Sequence, residues 1–150
     1  MNPENTAVQT FQFLREEQIE APIDIVFESV LAELGPEAQL PDGKPMVMKL
    51  EAWPGGRWFR DLGNNTGHFW GHVQVIKPPT LIEISGPMFM SYPATNHLQY
   101  KLAAEGKGTK LILNHRSLGL IPKEHMEGMN MGWGYKLNRI REIAMRRVSR

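Results

Sequence analysis

Between Trp53 and Pro79 the chain alternates short apolar stretches with tight-turn chemistry, and this limits its fold more than any other feature. Pro54-Gly55-Gly56, Gly63-Asn64-Asn65-Thr66-Gly67 and Pro78-Pro79-Thr80 are turn sequences. Glycine and asparagine tolerate left-handed backbone there, and proline presets φ. Apolar stretches this short leave no room for parallel crossovers, so they read as antiparallel hairpins. Three of the four tryptophans lie in the same run. Large aromatics on hairpin strands suggest a curved sheet that encloses something.

The flanking sequence supplies the remaining elements. Ala7 to Ile19 reads as a first strand, with Phe11 and Phe13 on one face. Pro22 suits the first position of a helix and Gly35 the residue past its end. Between them Ile23, Val26, Phe27, Val30, Leu31 and Leu34 form one apolar stripe. Residues 35–45 read as a connecting loop. Alternation predicts strands over 46–53, 57–62, 68–77, 81–85, 98–104 and 111–115, with an irregular apolar stretch at 86–96. A long helix is expected from His125 to Val148, with Met126, Met129, Trp133, Leu137, Ile140 and Ala144 on one face. Its first half carries Gly128, Gly132 and Gly134, each costing up to about 1 kcal/mol against alanine. Close approach of the backbone to the sheet, or to a ligand, would explain them. The predicted class is α+β: a curved antiparallel sheet wrapped around a long C-terminal helix, one domain over 1–150 with an ordered core of about 7–148.

A length of 150 residues suffices for one sizeable core. The formal net charge is +1, so no global field selects nucleic acid or an anionic membrane. Arg139, Arg141, Arg146, Arg147 and Arg150 cluster near the C-terminus, where cations complement a helix dipole. There is no cysteine, which excludes disulfides, thiolate metal sites and cysteine nucleophiles. The N-terminal residues are polar, and no apolar run approaches the roughly 18 residues of a membrane span. A cytoplasmic protein without membrane insertion is the expectation.

The order of elements and three local motifs resemble the SRPBCC (START-like, helix-grip) superfamily. Within it, the chain is most similar to bacterial proteins resembling the C-terminal domain of heat-shock-protein ATPase activators. The motifs are Ile19-Glu20-Ala21-Pro22, Gly71-His72-Val73 running to Lys77-Pro78-Pro79-Thr80-Leu81, and Gly132-Trp133. The resemblance implies an apolar cavity between sheet and C-terminal helix. It implies no single activity, because members bind lipids, sterols or hormones, cyclise polyketides or assist chaperones. It carries over no catalytic motif.

Trp58, Phe69, Trp70, Phe89, Tyr92, Tyr100, His115, Met129 and Trp133 are the candidate cavity residues. Their functional reading is a lining for a flat or greasy ligand, with methionine giving adaptable walls; their plainer reading is a filled core. On strand 68–77, Phe69, Gly71, Val73 and Val75 form the more apolar set and are expected to face inward. His68 and His72 would then face out. They would stand about 13 Å apart, too far to share one metal ion, even with His97 or His115 nearby. Asp61 beside Arg57 and Arg60 reads as a surface ion pair, and Glu51 as outward. His115 and Tyr100 are the candidate acid or base, and Tyr100, His115 or Arg60 the candidate polar anchor for a ligand.

The expected function is binding of a small hydrophobic or aromatic molecule between sheet and helix, with no cofactor and no metal. The alternatives are a cyclase or hydrolase using the same cavity, and a chaperone-interaction module. Nucleic acid is not an expected partner; a homodimer is compatible with the sequence.

Overall fold

The computed structural model describes residues 7–149. The chain runs β1 (Gln9–Ile19), α1 (Ile23–Leu34), β2 (Lys49–Leu50), β3 (Arg57–Gly63), β4 (Thr66–Lys77), β5 (Leu81–Gly86), β6 (Ala94–Glu105), β7 (Gly108–Gly119), α2 (Lys123–Val148). The reading of residues 1–6 and Arg150 lies outside the described residues.

All strands join one antiparallel sheet in the order β1-β7-β6-β5-β4-β3-β2. β1 and β2 follow one another in sequence yet form opposite edges. α1 makes the crossing, packing on α2, β6 and β7 as it goes. The sheet's inner face is set by alternation: Leu98, Tyr100 and Leu102 on β6, and Leu111, Leu113 and His115 on β7, are buried. α2 answers with Met129, Trp133, Leu137, Ile140 and Ala144, a stripe at helical spacing. Each large apolar side chain buried there contributes roughly 1.5–3 kcal/mol. The indole N–H of Trp58 donates to the carbonyl of Leu34 at 2.7 Å. That bond satisfies one of the carbonyls left free at the end of α1.

β4 departs from its expected alternation. Trp58 pairs with Gly71 and Phe59 with Phe69, which leaves Trp70 as an extra residue. A bulge of this kind flips the inward set upstream of it. Trp70 therefore turns into the core, and Phe69 points outward at 43% exposure, stacking near His72. Val73 remains inside, as expected. The segment 46–53 is likewise strand for only two residues. Met46 and Met48 are buried and Val47 exposed, so the alternation is present. The amides of Met46 and Met48, however, donate to Ala38 and Gly35 carbonyls in the preceding loop, not to a strand. The irregular stretch shrinks to 87–93, because β6 and β7 pair as far as Ala94 and Gly119.

The bulge packs tightly. A Cβ on Gly86 would lie 2.4 Å from the Cα of Gly71 and 2.5 Å from the Trp70 carbonyl oxygen. Both are backbone and cannot give way. Gly86→Ala is expected to lower stability by about 1–3 kcal/mol in urea unfolding. An unchanged midpoint would show that β4 and β5 can separate there.

Candidate functional site

An apolar pocket of about 430 Å³ opens where the first half of α2 meets two loops. Gly128, Met129, Gly132, Trp133 and Lys136 line its helix side, and Phe89 and Pro41 come from the loops. Phe89 belongs to the 87–93 loop. Its ring lies 5.6 Å from Trp70 and 5.5 Å from His125, so an aromatic series links core and rim. The Tyr92 hydroxyl hydrogen-bonds His125 Nδ1, joining the same loop to the start of α2.

The helix glycines do not owe their presence to the sheet. Among the described residues, a Cβ at exposed Gly128 or half-buried Gly132 would meet no atom within 4 Å. Both face the pocket. At Gly134 a Cβ would approach only the far end of the Arg15 side chain, at 3.3 Å.

Behind the pocket His115 is fully buried in a closed network. The Trp133 indole N–H donates to His115 Nδ1 at 2.8 Å, so that nitrogen carries no proton. The proton on Nε2 goes to Asn96 Oδ1 at 2.7 Å, which also accepts from the Ser117 hydroxyl at 2.6 Å. The Asn96 amide then donates to the carbonyls of Gly86 and Pro87. One imidazole thus ties α2, β6, β7 and the base of the 87–93 loop together. Both ring nitrogens are engaged within the protein, which corrects the expectation of His115 as a free acid, base or ligand anchor.

A second buried polar group was not anticipated. Glu33 on α1 is 1% exposed and receives the Lys136 ammonium at 3.0 Å. Burial raises its pKa above the usual carboxylate value, against the opposing pull of Lys136 and Arg139. Among the described residues, its other oxygen and the Tyr100 hydroxyl have no hydrogen-bond partner. Burial holds the Tyr100 phenol well above its ordinary pKa, and the charge of Glu33 adds to this. The signal was available: Glu33 lies three residues past Val30 and seven past Val26, at the flank of the buried stripe. His125 carried no comparable signal.

Of the nine predicted residues, Phe89, Met129 and Trp133 line the pocket. Tyr92 stands beside it through His125. Trp58 and Trp70 pack edge to face, centroids 5.0 Å apart, in the core with Tyr100 and His115. Phe69 lies outside. Arg60 belongs to a separate polar depression at the β3–β4 hairpin, away from the anchor role proposed for it. Asp61 pairs with Lys49 at 3.2 Å, and Arg57 with Glu51 at 2.8 Å, in place of the expected Asp61–arginine pair. The C-terminal arginines are engaged: Arg141 by Glu17, and Arg139, Arg146 and Arg147 by Glu37. Among the described residues no group of three histidines or acids could hold a metal, and no helix could cross a membrane.

The family model described as Activator of Hsp90 ATPase homolog 1-like protein matches residues 20–144. The chain belongs to that family. Solved structures agree on the helix-grip fold. A protein from Rhizobium leguminosarum superposes with TM-score 0.73 at 18% identity, covering 93% of this chain and 97% of its own. One from Rhizobium loti gives 0.68 at 18%, covering 91% and 99%. One from Chromobacterium violaceum gives 0.65 at 19%, covering 89% and 96%. At these identities the likeness concerns the fold alone. No curated protein matches the chain in sequence.

Two outcomes follow. Gly128→Ala adds a side chain to open space in a helix interior, so it should stabilise the protein by up to about 1 kcal/mol in urea unfolding; a lower midpoint would show that the space is already filled. Burial pushes His115 down to about 4 from the usual 6.5. Between those values the unfolded chain binds more protons than the folded one, so stability falls as pH falls through that window and is unaffected above it. At pH 5 the loss should be about 2 kcal/mol relative to pH 7. His115→Gln, less stable overall, should show a flatter pH dependence; equal slopes would mean that the imidazole takes up its proton while folded.

Proposed function

We propose that the chain binds a small apolar or aromatic molecule in the pocket beside Gly128 and Gly132. The observation that carries this is the open space at the two glycines. Each weakens the helix by about 1 kcal/mol relative to alanine. Among the described residues no atom lies within 4 Å of where either Cβ would stand. The resulting volume of about 430 Å³ falls within the range of small-molecule sites. Phe89 and Met129 give it adaptable apolar walls. Membership of the activator-like family is compatible with ligand binding and does not identify the ligand.

Gly132→Leu should fill the pocket while keeping a good helix former at that position. Native mass spectrometry of freshly purified protein, with thermal-shift screening of apolar and aromatic compounds, should find a ligand for the parent chain. Affinity should fall at least about tenfold in Gly132→Leu. Equal binding by both proteins would remove the pocket from the function.

A second reading, contact with a chaperone ATPase, draws on the family and on exposed apolar side chains. Trp53 in the β2–β3 connection, Leu62 on β3 and Phe69 on β4 are each exposed, Trp53 at 58%. Trp53→Ser/Phe69→Ser should then weaken co-purification with an Hsp90-type chaperone without affecting pocket ligands. A cyclase or hydrolase reading draws no support from His115, whose nitrogens are engaged, or from Tyr100, whose hydroxyl is buried away from solvent.

A further inference from the structure

We propose that the pocket selects apolar molecules that end in a carboxylate, and that Lys136 is the residue that reads it. This rests on the pocket reading above and names its ligand class. Gly128, Gly132 and Lys136 are spaced by four, so they share one face of α2. Helical side chains lean toward the N-terminus, which carries the Lys136 stem over the turn of Gly132. The open strip made by the two glycines therefore ends at an ammonium.

That ammonium is held in place and incompletely used. Its side chain is only 15% exposed. Of its three donors, one goes to Glu33 Oε2 at 3.0 Å, and no other hydrogen bond of Lys136 occurs among the described residues. Glu33 is buried behind it, and among the described residues its second oxygen has no hydrogen-bond partner. Of these groups only Lys136 lines the pocket, and beside His125 it is the polar side chain of an otherwise apolar lining. Arg139 adds a second cation near Glu33, though it is shared with Glu37 and Glu142. A ligand made only of carbon would seal the pocket over unused ammonium donors, which is costly. A carboxylate would meet them with charge-assisted hydrogen bonds, about twice as strong as neutral ones. A single ammonium backed by a carboxylate suits one negative charge better than the two of a phosphate monoester. Glu33 acts here as a positioning residue for Lys136.

The test is calorimetric titration of 2-naphthoate and 2-naphthamide, probes of matched shape, at pH 7. Lys136→Met alone would leave Glu33 buried without a partner, so the charge is removed in the double variant Glu33→Gln/Lys136→Met. Lys136→Arg keeps it. The parent chain should prefer naphthoate by about tenfold or more, and Lys136→Arg should retain a preference. The double variant should bind the two probes equally. Equal affinities in the parent, or a preference that survives in the double variant, would overturn the carboxylate assignment and leave the pocket standing. Failure of both probes to bind the parent chain would overturn both.

Discussion

The hydrogen bond from Trp133 to His115 is the interaction on which the site depends. It joins the middle of α2 to the centre of the sheet, and it forces the proton of the ring onto Nε2. That proton recruits Asn96, and Asn96 in turn holds the carbonyls of Gly86 and Pro87. The position of the 87–93 loop, and so of Phe89 over the pocket, follows from one buried neutral imidazole. Such a network is fully satisfied at its core and is therefore expected to impose a single arrangement.

Around that fixed centre, the molecule is not uniformly close-packed. At the bulge, Gly71 and Gly86 bring two strands closer than any side chain would allow. On α2, exposed Gly128 and half-buried Gly132 do the opposite and leave an open hollow at the surface. The same residue type serves contact in one place and vacancy in the other, and only the second kind suggests a ligand. Next to the vacancy stands the Glu33–Lys136 pair. Buried pairs contribute little net stability because desolvation offsets their attraction. A role for Lys136 in recognition gives this one a reason to exist.

Much of this architecture was legible in the sequence. Both helices followed from apolar spacing, α1 also from its flanking Pro22 and Gly35, and β6 and β7 from alternation. What escaped was local. The bulge at Trp70 inserts one residue into a strand, and nothing in alternation marks where the pattern slips, so Phe69 was turned the wrong way. Met46 and Met48 alternate like strand residues while their amides bond a loop, a choice that depends on which backbone lies nearby. The candidate site was read in outline. Phe89, Met129 and Trp133 emerged because aromatics and methionines mark apolar walls. Glu33 and His125 did not, since their importance comes from residues brought beside them only by folding. His115 was recognised as inward-facing, but the loss of both its nitrogens to Trp133 and Asn96 is a matter of three-dimensional geometry.

The central claim is that the space beside Gly128 and Gly132 is a binding site and not a packing defect. Amide chemical-shift mapping during titration with a small aromatic acid tests it most directly. The account predicts saturable shifts centred on Phe89, Gly128, Gly132 and Lys136, with little change across β2 and β3. Shifts confined to Trp53, Leu62 and Phe69, or none that saturate, would contradict it.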